Sequence, residues 1–129
     1  MTKEQIKELR KFNLKTYEPG NYYYHIWVRF DQPNFGQRPI RVLCNRYVTP
    51  SGKDEFTEFY DAEYFEKTGQ LIFQTRVEYL ESSVWDGKSF VVKTEEEARD
   101  IWNLLLIQEL ERRQKSLYDY EKRVMKNLL

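Results

Sequence analysis

Residues 22–30 have the sequence YYYHIWVRF, and this stretch decides the fold. Side chains in a β-strand point alternately to the two faces of a sheet, so a period of two sorts these residues into two sets. The first set is Tyr22, Tyr24, Ile26, Val28 and Phe30, and the second is Tyr23, His25, Trp27 and Arg29. The pattern predicts a strand that packs the first set into a core and leaves the second set on the opposite face.

Further strands are predicted where turn-forming residues separate apolar stretches. The polar segment 31–39 is predicted to be a loop, and a second strand follows from Ile40 to Val48. Its inner face is expected to join Ile26 and Val28 and to consist of Ile40, Val42, Cys44 and Val48. Strands over about 58–66 and 70–81 are expected to form a hairpin across Lys67-Thr68-Gly69, and a short fifth strand is expected over 89–93.

Two helices are predicted, one at each end of the chain. A capping-box pattern at Thr2 and Gln5 predicts a short helix over about 3–14, and a second such pattern at Thr94 begins a helix without Pro or Gly up to Leu129. Unbroken, that helix is about 50 Å long, whereas a globule of this size is roughly 35–40 Å across. It therefore either breaks near Lys115-Ser116 or projects from the domain.

The two halves of the C-terminal helix differ in their apolar residues. The first half has a broad stripe suited to packing on a sheet, made of Ala98, Ile101, Trp102, Leu105, Leu106 and Leu110. The second half has a narrow stripe of Leu110, Leu117, Val124 and Leu128, flanked by the charged pairs Glu109–Arg113 and Asp119–Arg123. The narrow stripe is predicted to contact another chain or the N-terminal helix.

The predicted fold class is α+β, with residues 1–129 forming one domain. An antiparallel sheet of four to five strands is packed by the long C-terminal helix, and the short N-terminal helix lies beside it. The formal net charge is zero, so no overall field attracts polyanions or anionic membranes. A single cysteine excludes an internal disulfide, and no apolar run of signal-peptide type is seen, so we expect a cytoplasmic protein, in the host cytoplasm if it is viral.

No residue pattern indicates catalysis or metal binding. The predicted alternation places Cys44 in the core and His25 on the opposite face, so a Cys–His nucleophile is not expected. One histidine and one cysteine supply only two of the usual four zinc ligands. The acidic residues between 54 and 66 are interpreted as a solvated surface rather than a cation site, and no glycine-rich phosphate loop occurs. We expect no enzyme activity, no metal and no cofactor.

The candidate site on the sheet is the aromatic and arginine-rich face opposite the core, which comprises Tyr23, Trp27, Arg29, Arg41 and Tyr47. Such a face can stack the bases of single-stranded nucleic acid, and it also has the composition of a protein-binding hot spot. A third interpretation is that a helix covers these side chains as a second core. On the C-terminal helix the candidate contacts are Leu117, Tyr120, Val124 and Leu128.

Local charge favours a protein as the partner. Six acids accompany one lysine in residues 53–66 and four accompany one arginine in residues 95–100, which disfavours a phosphate backbone nearby. The predicted function is therefore non-catalytic binding of another protein or of a second copy, as a small regulator or inhibitor. The Tyr-rich, Ala-poor composition is typical of AT-rich genomes such as those of many phages or of low-GC bacteria. Single-stranded nucleic-acid binding by the same sheet face is the alternative.

Overall fold

The computed structural model describes Glu4, residues 17–81 and residues 88–129. The described elements, in chain order, are β1 (Tyr22–Val28), β2 (Gly36–Val48), β3 (Glu55–Asp61), α1 (Ala62–Thr68), β4 (Phe73–Arg76), α2 (Val77–Glu81), β5 (Lys88–Val92) and α3 (Glu95–Lys126). Apart from Glu4, the N-terminal helix predicted over 3–14 lies outside the described residues.

The five strands form one sheet in the order β4-β3-β2-β1-β5, and every neighbouring pair is antiparallel. The helix α3 crosses β5, β1 and β2 on one face of this sheet. The predicted α+β class, with an antiparallel sheet packed by a long C-terminal helix, is therefore confirmed.

The core beneath α3 is built around β1. Ile26 and Val28 are buried there, as the alternation predicted, together with Phe90 and Val92 of β5. The helix contributes its broad stripe of Ala98, Ile101, Trp102 and Leu105. The helix begins at Thr94, whose Oγ1 accepts a hydrogen bond from the Glu97 amide at 3.1 Å, as the capping pattern predicted.

The opposite face of the sheet carries a second core, and here the predicted strand register is wrong. Tyr23 of β1 lies opposite Val42 of β2, so Val42 and Cys44 share the face of Tyr23 and not that of Ile26. Phe59, Leu80 and Val91 complete this second cluster. The predicted inner residue Val48 is 51% exposed. An irregularity in the pairing between His25 and Trp27 shifts the register by one residue, and a shift of one exchanges the two faces of a strand.

The predicted hairpin over 58–81 is also wrong in detail, because a helix interrupts it. β3 and β4 do pair as antiparallel neighbours, but α1 lies between them and α2 follows β4. The Asp61 side chain accepts a hydrogen bond from the Tyr64 amide and begins α1, and Gly69 ends it in the left-handed conformation with φ of 72°.

The helix α3 is continuous over 32 residues, so it does not break near Lys115-Ser116. Every residue from Leu110 to Leu129 is exposed. The predicted alternative of a projecting end is thus the one that the structure shows.

Candidate functional site

The five candidate residues of the sheet do not form one surface. Tyr23 is 4% exposed, and its hydroxyl oxygen accepts a hydrogen bond from the Glu18 amide at 2.9 Å. Half-buried Trp27 lies on the same face as Tyr23, and the Arg29 guanidinium is 6.0 Å from the Trp27 ring centroid. Arg41 and Tyr47 lie on the other face, because Arg41 pairs with Tyr24. The predicted cluster therefore fails, since the register shift divides its members between two faces.

Arg41 instead belongs to a small cluster that the alternation had not assembled. Its guanidinium lies 4.7 Å from the Tyr22 ring centroid and forms an ion pair with Glu66 of α1 at 2.5 Å. Tyr22 was assigned to the core by the period of two, yet it is 41% exposed. The contact depends on α1, which the sequence pattern did not reveal.

Arg76 occupies the centre of a second aromatic cluster at the β4 edge of the sheet. Its guanidinium lies 4.6 Å from the Phe56 ring centroid, 5.3 Å from that of Tyr79 and 5.7 Å from that of Phe73. The carboxylate of buried Glu58 is 3.9 Å away. Arg76 Nε is buried without a hydrogen-bond partner in the described part of the chain, so ring contacts dominate its surroundings. These contacts consolidate the sheet and leave the guanidinium enclosed by its own rings.

His25 is buried on the second-core face and holds a fixed ring orientation. Its Nδ1 accepts a hydrogen bond from the side-chain Nε2 of Gln37 at 3.1 Å, and its Nε2 lies 2.9 Å from the Ser89 hydroxyl oxygen. Burial lowers the pKa of His25 to about 4, so the ring is neutral at physiological pH. The ring therefore acts as a structural hydrogen-bonding group within the sheet.

Cys44 lies on the same face as His25, which corrects the prediction that they face opposite ways. Its side chain is buried, as predicted, and burial raises the pKa of the thiol to about 11. The thiol is therefore protonated near neutral pH, and a protonated thiol is a poor nucleophile.

Most of the acidic residues between 54 and 66 are engaged in local contacts. Asp61 caps α1, Glu63 pairs with Lys67 at 2.9 Å, and Glu55 pairs with Arg46 at 2.7 Å. In residues 17–81 and 88–129, no three His, Cys, Asp or Glu side chains are grouped so that they could hold a metal ion.

The candidate residues of α3 are all exposed, and three of them share one side of the helix. Leu117, Val124 and Leu128, which follows the helix end at Lys126, lie there with Leu110 of the predicted narrow stripe. Three further residues of this surface had not been assigned to it by the sequence pattern, namely Ile107, Tyr118 and Met125. These seven side chains, here called the outer stripe, are 44% to 66% exposed. Tyr120, 58% exposed, flanks the outer stripe. None of the described helices combines the length and the apolar content that crossing a bilayer requires.

The outer stripe is a separate surface from the stripe that packs on the sheet. At about 100° of rotation per residue, the mean direction of the outer stripe differs by roughly 150° from that of Ala98, Ile101, Trp102 and Leu105. The outer stripe therefore faces away from the sheet. The sequence pattern predicted one stripe that narrows along the helix, whereas the structure shows two stripes on nearly opposite sides.

A charged cluster marks the point at which α3 leaves the domain. The Glu109 carboxylate accepts hydrogen bonds from Arg112 at 2.6 Å and from Arg113 at 2.8 Å, and both bonds hold the pKa of Glu109 down at about 2. The predicted pair of Glu109 with Arg113 is thus present. Arg113 also donates to the Phe30 carbonyl at 3.5 Å, which ties the helix to the loop after β1.

Comparisons with family models, with curated proteins and with solved structures found no match to this chain.

Proposed function

We propose that this chain is a non-catalytic protein-binding module, a small regulator or inhibitor of another protein, and that the outer stripe is its main contact surface. The observation that carries the proposal is the exposure of seven large apolar side chains on a helix that has left the domain. Burying one such side chain fully contributes about 1.5–3 kcal/mol, and contiguous exposed apolar patches mark interaction sites.

The projecting part of α3 has the form that a helix-docking partner recognises. Apolar residues recur at spacings of three, four and seven along it, as in helices that insert into a groove or pair with another helix. Glu109, Arg112 and Arg113 hold its base in a defined conformation. Such a base reduces the conformational entropy that the helix loses on binding.

Nucleic-acid binding has less support in the geometry. Arg41 is paired with Glu66 and Arg76 is enclosed by three rings, so neither guanidinium is free to hold a phosphate. The rings proposed for base stacking are divided between the two faces of the sheet.

The proposal is tested by site-specific photo-crosslinking in cells that produce the full chain. A benzophenone amino acid replaces Tyr118 in the outer stripe or, as the matched control, the adjacent exposed Asp119, which points about 100° away around the helix. We expect protein adducts from position 118 and few from position 119. Equal yields at both positions, or adducts at neither, contradict the assignment of this surface.

A further inference from the structure

We propose that the partner of the outer stripe is a second copy of this chain, bound antiparallel through the same stripe. This inference rests on the proposed function and specifies its partner.

The order of residues is self-complementary about a point midway between Leu117 and Tyr118. Ile107, Gln114, Glu121 and Leu128 recur every seven residues along the middle of the stripe. When a second helix is paired antiparallel about that point, Ile107 lies beside the C-terminal end of the other copy's helix, where Leu128 follows Lys126. In the same pairing Gln114 faces Glu121, so the two polar residues of the middle line meet and can hydrogen-bond.

The flanking positions match in the same way. On one side of the middle line, Leu117 faces its own counterpart and Leu110 faces Val124 of the other copy. On the other side, Tyr118 faces its own counterpart, and paired rings of this kind stabilise contacts beyond their buried area.

Charge selects the antiparallel arrangement over the parallel one. A parallel pair in register places Glu121 against Glu121 at the middle of the contact, where two like charges repel. The antiparallel pair removes that repulsion, because Glu121 then faces Gln114 of the other copy.

The length and the direction of the stripe also fit a second copy. The helical overlap from residue 109 to residue 126 is about 26 Å long at about 1.5 Å per residue. Each helix tip reaches the base of the other helix, and the two domains lie at opposite ends. Because the outer stripe faces away from the sheet, the described strands do not obstruct the approaching helix.

The area available is sufficient for a specific but reversible dimer. Seven half-exposed apolar side chains per copy, at roughly 60–100 Å² each, bury about 1,000 Å² in total. That area is about the lower limit for specific protein interfaces. A dissociation constant in the micromolar range is the expected affinity.

Sedimentation of the full chain between about 5 and 500 µM tests the dimer by mass action. We expect the mass to rise from monomer to dimer over this range. Leu117→Glu places two carboxylates against each other at the centre and is expected to weaken association about tenfold or more. The matched control is Ser116→Glu, which adds the same charge at an exposed neighbouring position off the stripe and is expected to leave association within about twofold.

Disulfide trapping tests the antiparallel geometry, and buried Cys44 does not interfere. Tyr118→Cys is expected to form a disulfide-linked dimer on mild oxidation, whereas Asp119→Cys is expected to remain reduced. Leu110→Cys alone is expected to remain reduced and to link with Val124→Cys when the two proteins are mixed. Self-linking of Leu110→Cys indicates a parallel pair and overturns the proposal.

The outcomes separate this inference from the proposed function. A chain that stays monomeric at every concentration overturns the second-copy proposal, and so does a dimer that Leu117→Glu leaves intact. A monomeric chain can still form adducts from position 118. If those adducts contain a different protein or the chain's own N-terminal segment, then that protein or segment is the partner of the outer stripe. Adducts with a different protein leave the proposed function standing.

Discussion

At the scale of single residues, His25 is the group whose titration the fold controls most directly. It is the only histidine of the chain, and it is buried with hydrogen bonds at both ring nitrogens. Burial disfavours the charged ring and lowers the pKa of His25 from 6.5 to about 4. The unfolded chain binds a proton below about pH 6.5, whereas the folded chain does not until about pH 4.

We predict that acidification weakens the fold through this residue. Between pH 6.5 and 4 the unfolded state holds more protons, so stability is fully present above pH 6.5 and falls as pH decreases towards 4. The total loss from this group is about 3 kcal/mol. Urea unfolding at several pH values measures the loss, and the single imidazole resonance in an NMR titration reports the pKa directly. A midpoint near 6.5 in the folded protein contradicts the prediction.

Gly36 is a residue whose identity the fold requires. Its φ of 101° lies in the range that favours glycine, and a Cβ there meets the Trp27 carbonyl oxygen at 2.0 Å. Gly36→Ala is expected to cost about 3 kcal/mol or more, because the backbone at the start of β2 must move. Thermal unfolding of the variant measures the cost.

Gly52→Ala is the matched control for that substitution. Gly52 also has a positive φ, of 71°, but no heavy atom lies within 4 Å of its added Cβ. The expected cost is about 1 kcal/mol, from backbone conformation alone. Equal costs for the two variants indicate that the close contact with Trp27 does not determine the requirement at Gly36.

At the scale of elements, Asp61 decides where β3 ends. Its carboxylate accepts a hydrogen bond from the backbone amide of Tyr64 at 2.9 Å and so caps the start of α1. Asp61→Ala is expected to destabilise the protein by about 1 kcal/mol, because one amide at the helix start loses its partner. Asp61→Asn keeps an acceptor oxygen and is expected to stay within about 0.5 kcal/mol of the parent protein. Chemical denaturation of both variants checks the prediction, which fails if alanine and asparagine behave alike.

The elements also show how far local pattern determines structure. β1 and the start of α3 were predictable, because alternation and a capping box are properties of a few neighbouring residues. The partner face of β2 was not, because it depends on an irregularity opposite His25 and Trp27 that changes the register by one residue. Residues 58–66 were predicted to be a strand, whereas a helix begins at Ala62 in that segment and is stabilised by the Asp61 cap and by the left-handed Gly69 that ends it.

The candidate site was predictable on α3 and not on the sheet for the same reason. Exposure of Leu117, Val124 and Leu128 follows from helix length, which the sequence determines locally. A cluster of Trp27 with Tyr47 depends on the strand register, which long-range pairing determines. It also depends on α1 and α2, which the sequence pattern did not predict. Contacts such as that of Arg76 with three rings arise only once α2 follows β4.

At the scale of the whole molecule, α3 is one continuous helix whose two halves have different surroundings. Its first half buries Ala98, Ile101 and Leu105 against the sheet, whereas every residue of its second half is exposed. An isolated helix of about 15 residues is marginal in water. The second half is helical because the packed first half has already nucleated the helix. The stability of the projecting half therefore depends on the domain, whereas the stability of the domain does not depend on the projecting half.

Removing residues 115–129 is therefore expected to leave the domain folded. We predict a change in unfolding free energy of less than about 1 kcal/mol, because the deleted residues contribute no buried surface to the domain. Ile101→Ala, in the first half of the same helix, is the contrasting variant and is expected to cost about 2–5 kcal/mol. Denaturant unfolding followed by tryptophan fluorescence compares the two at a protein concentration low enough to keep the parent chain monomeric. If the truncated chain unfolds as readily as Ile101→Ala, the projecting half supports the domain through contacts beyond the described residues, and its assignment as a free interaction surface is wrong.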